Sequence, residues 1–69
     1  MVEVGDTVRV RLLPGHLAGD WLPHDVAEGQ EGRLVRMVDE HQALVQFLKG
    51  PRFIYRAFLN PNRKRGRWT

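Results

Sequence analysis

Sixty-nine residues with no cysteine and no serine make one small domain, without disulfides, thiolate metal sites or the usual serine and cysteine nucleophiles. No apolar run approaches the roughly 18 residues of a membrane span, and the first residues lack the charged start and apolar core of a signal peptide, so a cytoplasmic protein with no membrane partner is expected. The formal net charge of +3 divides by position: residues 1–62 hold seven Lys/Arg against eight Asp/Glu, while Arg63, Lys64, Arg65 and Arg67 supply the excess, so the basicity belongs to a tail and not to a folded face.

A Gly5-Asp6 turn leads into Thr7-Val8-Arg9-Val10-Arg11-Leu12, where apolar and basic side chains alternate. A period of two predicts a half-buried strand over residues 7–13, with Val8, Val10 and Leu12 inward and Arg9 and Arg11 outward. Pro14-Gly15 ends it. Residues 14–31 contain Pro14, Pro23, Gly15, Gly19 and Gly29 and keep no period. They read as an ordered surface loop, because Leu17, Trp21, Leu22 and Val26 are too apolar for a disordered linker and are expected to fold back as a lid over one end of the core.

The second strand is predicted over residues 32–38, with Gly29 and Gly32 marking its tight entry. Leu34 and Val35 are adjacent, as are Met37 and Val38, which calls for a bulge or burial on both faces. Residues 39–42 form a polar turn, and Ala43, Val45 and Phe47 alternate as a third strand. A turn over residues 49–51 precedes a fourth strand over residues 52–55, where Phe53 and Tyr55 share a face opposite Ile54. Residues 56–59 suit one helical turn before a very short last strand that Asn60-Pro61-Asn62 stops. Four or five short strands with a long first loop describe an all-β domain, a small SH3-like antiparallel barrel over residues 1–62, followed by a basic tail at residues 63–69.

Several stretches carry a family likeness in order over residues 4–59: Val4-Gly5-Asp6-Thr7-Val8-Arg9-Val10, Pro14-Gly15-His16, Leu22-Pro23, Gly29-Gln30-Glu31-Gly32-Arg33-Leu34, Leu44-Val45-Gln46-Phe47 and Ala57-Phe58-Leu59. Through them the chain resembles the SH3-like barrels grouped as electron-transport accessory proteins. These include the variable chain of ferredoxin-thioredoxin reductase, the PsaE-type subunit of photosystem I and the C-terminal domain of the nitrile hydratase β subunit, the last being the most similar in its Pro-Gly-His, Leu-Pro and Gly-x-x-Gly order. The resemblance implies an accessory subunit that docks on a larger enzyme or electron-transfer complex. Asn60-Pro61-Asn62-Arg63-Lys64-Arg65 departs from the acidic residues usual in that group after the last strand. A second likeness, to KOW-type barrels of ribosomal and transcription proteins, rests on the Gly-Asp-x-Val-x-Val start and the basic tail, and the long first loop argues against it.

Catalysis is not expected, because the remaining nucleophile candidates are Thr7, Tyr55, Lys49, Lys64 and the carboxylates, and Thr7 is better placed to hydrogen-bond the turn before it. His16, His24 and His41 have no helical pair or loop clip between them, so neither a metal nor a cofactor is expected. Asp20, Asp25, Glu28 and Glu31 form an acidic block within the loop region, and the tail forms a basic one. The two blocks are either solvated and paired within the chain or used to steer a partner of opposite charge.

The expected function is a non-enzymatic, protein-binding accessory module. It would dock on a larger protein or enzyme complex through its long loop, at His16, Leu17, Trp21, Leu22, Pro23 and His24, with Trp21 either an anchor on the core or a binding hot spot. The competing expectation is a nucleic-acid or ribonucleoprotein binder. That binder would use Arg9, Arg11, Arg33 and Arg36, on adjoining strands, together with Arg63, Lys64, Arg65, Arg67 and Trp68 of the tail. In the plain alternative the strand arginines lie on an ordinary solvated face and Phe53 and Tyr55 are core. An exposed sheet edge or the opposed charge blocks also allow a weak homodimer.

Overall fold

The computed structural model describes residues 2–62. The alternating stretch after Asp6 forms β1 (Thr7–Val10), with Val8 and Val10 fully buried and Thr7 and Arg9 exposed. It ends three residues earlier than its pattern predicts, because the Glu28 carboxylate accepts the Leu12 N–H at 3.1 Å and takes that donor away from a ladder. β2 (Glu31–Met37), β3 (Gln42–Phe47) and β4 (Gly50–Tyr55) follow as an antiparallel meander. A single 3₁₀ turn (Arg56–Phe58) delivers the chain to β5 (Leu59–Pro61), which pairs with β1.

The strands are ordered β4-β3-β2-β1-β5, and the sheet is open. This overturns the SH3-like barrel predicted from the sequence. β4 pairs only with β3 and β5 only with β1, so these two strands are edges and no ladder joins them among the described residues. Two prolines account for this in part. All three residues of β5 are matched to β1, and Pro61 has no N–H for a further neighbour; Pro51, opposite Gln46, likewise lacks a donor on β4. The finding removes the electron-transport accessory barrels, the nitrile hydratase β likeness and the KOW-type barrels as accounts of this fold.

One face of the sheet is covered. Register puts Val8, Leu34, Val45, Ala43 and Ile54 on that inner face, and each is at most 1% exposed. Residues 14–30 supply Leu22 and Val26 over it, and the 3₁₀ turn supplies Phe58, all buried. A loop thus does the work that barrel closure would have done.

Two glycines matter to this packing. Gly29 has a φ of +93°, which lets the loop return so that its N–H meets the Val10 carbonyl at 2.7 Å while Val10 N–H donates to Gln30 at 2.9 Å. Gly32, predicted to open the second strand, lies within β2 opposite Val8. A Cβ there would stand 2.7 Å from Val45 Cγ1 and 2.9 Å from Phe47 Cδ1.

The expected irregularity in β2 is a bulge: Leu34 pairs with Val45 and Arg36 with Leu44, leaving Val35 as the extra residue. The bulge returns Met37 to the core side, opposite Ala43. In β4 the strand begins at Gly50 rather than after Pro51, and Ile54 is the core residue. Of the two residues that the plain alternative assigned to the core, Phe53 is 57% exposed on the other face, and Tyr55 is 37% exposed, with its ring against Trp21 and Phe58 at the strand's end. No helix among the described residues is long and apolar enough to cross a membrane.

Candidate functional site

The loop is fastened at several points. A short helix, α1 (Ala18–Trp21), interrupts it, with Leu22 N–H donating to the Ala18 carbonyl at 2.9 Å. Nothing in the sequence signals this turn, since Leu17 stands at the N-cap position without a side-chain cap. Further on, Val26 N–H donates to Pro23 and Ala27 N–H to the Gln30 side chain. Asp25 takes both donors of the Arg52 fork, Nε at 3.0 Å and Nη2 at 2.5 Å. Hydrogen bonds from Arg52 hold the Asp25 carboxyl below its ordinary range, partly opposed by desolvation, and the same pairing raises Arg52.

These anchors settle most of the acidic block within the chain. Asp25 meets Arg52, Glu28 caps Leu12, and Glu31 accepts from Arg9 at 2.5 Å and from Asn62 at 2.6 Å. The Asp20 carboxylate alone of the four has no hydrogen bond or ion pair among the described residues.

Trp21 ends α1 over the core. Its ring meets His16 edge-on at 4.6 Å between centroids, Tyr55 at 5.4 Å and Phe58 at 5.9 Å. His16 in turn meets Phe58 at 5.5 Å, and its Nδ1 lies 3.3 Å from the Pro14 carbonyl. Three rings therefore hold the indole in one orientation while 38% of it remains exposed. Leu17, one helical turn earlier, is 68% exposed.

Of the six loop residues expected at a docking site, His16, Leu17 and Trp21 come together here. Leu22 is buried and serves the core. Pro23 and His24 border a shallow cleft of about 260 Å³ with Ala18, Gly19 and Val26. Tyr55 belongs to the cluster and was missed, although its two-residue spacing from Phe53 across Ile54 is legible.

The strand arginines separate. Arg9 is paired with Glu31, and Arg9 and Arg11 border a second shallow cleft with Glu28. Arg33 and Arg36 make no salt bridge among the described residues. Arg63, Lys64, Arg65, Arg67 and Trp68 lie outside the described residues. His24 and His41 are exposed, the latter 3.6 Å from Glu40, and no group of three or more metal-ligating side chains occurs among the described residues. Asp39, with its carboxyl held low by the His41 and Gln42 N–H groups, shapes the β2–β3 turn.

The fold and site define an all-β domain with one loop-covered face and a fixed aromatic cluster at the loop's edge. No protein-family model matches the chain, no curated protein matches it, and no solved structure matches it.

Proposed function

We propose that this protein is a non-enzymatic accessory module that docks on a larger protein through the Leu17–Trp21 side of its loop. The observation that carries the reading is the four-ring cluster: Trp21 is held by His16, Tyr55 and Phe58 yet left over one-third exposed, beside an exposed Leu17. Fixing an aromatic side chain before binding removes the entropy cost of ordering it, and indoles at the centre of a patch dominate many interfaces. A cytoplasmic setting is part of this reading.

A photo-crosslinking residue at position 17 tests it in cells. One defined protein adduct is expected from position 17 and none from position 48, which lies at the fully exposed tip between β3 and β4. Equal adducts from both positions would remove the loop from the account.

A further inference from the structure

The face of the sheet that the loop does not cover carries an arrangement independent of the docking site. Across three strands it sets Arg36, Leu44 and Phe53 in one row, with Arg33 and Gln46 in the next. Phe53 is 57% exposed at the centre of β4. The bulge at Val35 makes the row: without the extra residue, period-two alternation would turn Arg36 to the core, and with it Arg36 faces outward opposite Leu44. The guanidinium and the ring then stand on strands two apart, roughly 10 Å.

The net charge on this face is positive. Glu31 is the only Asp or Glu in any of the five strands, and it is engaged by Arg9 and Asn62. Arg33 and Arg36 have no carboxylate partner among the described residues. Asn62, bound to Glu31 beside Arg9, is followed directly by Arg63, Lys64 and Arg65 in the sequence. A polyanion fits this surface. The exposed ring selects among polyanions, because the electron-rich face of Phe53 disfavours carboxylates and stacks on a base.

We propose that the uncovered sheet face is a platform for single-stranded nucleic acid, with Phe53 stacking on a base and Arg33 and Arg36 contacting phosphates. This goes beyond the docking reading and uses different residues, so Leu17→Glu leaves it unchanged.

The test is fluorescence anisotropy of the full chain with labelled dT20, rU20 and a 20-bp duplex at about 50 to 200 mM salt. Binding of the single strands in preference to the duplex is expected. Phe53→Ala should weaken it about five-fold or more. Arg33→Gln with Arg36→Gln should flatten the salt dependence by about 1.4 in the log–log slope, for two phosphate contacts. A full-length variant with Arg63, Lys64, Arg65 and Arg67 changed to Gln should bind more weakly but keep the same Phe53→Ala ratio. The proposal is overturned by no binding at about 50 mM salt, by equal affinity for the duplex, by equal competition from polyglutamate, or by binding that depends on the tail and ignores Phe53 and both arginines.

Discussion

Arg52 and Asp25, 27 residues apart in the chain, meet through both prongs of the guanidinium and both carboxylate oxygens, at 3.0 and 2.5 Å. Arg52 stands on the covered face opposite Val45, so the pair ties the loop to the edge strand β4. The geometry is bidentate, the form of ion pair that gives orientation as well as attraction. It bears on the proposed docking surface, because the same loop presents Trp21.

The pair makes loop docking sensitive to acid. The folded carboxyl of Asp25 is lowered from 3.8, chiefly by hydrogen bonds from Arg52, so its contribution is fully present above that value and is lost as pH falls through the lower folded one. Trp21 emission, read in a Trp68→Phe background, should therefore change below pH 3.8. Asp25→Asn should lower stability at neutral pH and remove part of that acid transition. An acid titration unaltered by Asp25→Asn would show that the pair does not hold the loop.

Gly32→Ala should destabilise the domain. Its Cβ would meet the Gln46 carbonyl at 2.8 Å as well as Val45 and Phe47, and the backbone oxygen cannot move as a side chain can. A cost of about 1–3 kcal/mol is expected from overpacking. At roughly 4–8 °C per kcal/mol for a domain of this size, calorimetry would read it as a clear fall in Tm. An unchanged Tm would contradict the close approach of β2 and β3 at that point.

Two phenylalanines five residues apart should behave in opposite ways. Phe58 is 2% exposed, and truncation to Ala should cost about 3–5 kcal/mol, comparable with the roughly 3–10 kcal/mol expected for the whole chain. Phe53 is 57% exposed, and Phe53→Ala should shift stability by no more than about 0.5 kcal/mol. Urea unfolding of the two variants checks the assignment of faces.

Amide exchange distinguishes an open sheet from a closed one. Arg56 N–H donates to the His41 carbonyl at 2.8 Å, so antiparallel alternation bonds Ile54 and Arg52 to β3 and turns the N–H groups of Phe53 and Tyr55 to the free edge. Ile54 and Arg52 should be protected while Phe53 and Tyr55 exchange rapidly. Protection at Phe53 and Tyr55 would mean that another strand covers β4.

Much of the strand pattern was legible in the residues. Strict alternation at Val8 and Val10 gave the inner face of β1, and the doubled apolar pairs in β2 called for a bulge or burial on both faces, of which the structure has the bulge at Val35. Closure was not legible, since strand count and turn spacing are the same for a barrel and for an open sheet covered by a loop. The inward side of β4 was not legible for a related reason: Phe53, Ile54 and Tyr55 are all apolar, so period two cannot say which parity faces inward until Ala43 and Val45 are placed opposite. The close approach of Val45, Gln46 and Phe47 to Gly32 was not legible, because a glycine at a strand's start reads as an entry turn as readily as a close contact. The pairs Asp25–Arg52 and Glu31–Arg9 join distant segments, and no local pattern reports such contacts.

The docking proposal is tested most directly by comparing proteins captured from cells by the intact chain and by Leu17→Glu. This side chain is 68% exposed, so the change leaves the core intact. The account predicts that one defined protein is retained by the intact chain and by Phe53→Ala, and is lost at least ten-fold with Leu17→Glu. Equal recovery with Leu17→Glu, in a variant whose Tm is unchanged, would contradict the loop as the docking surface.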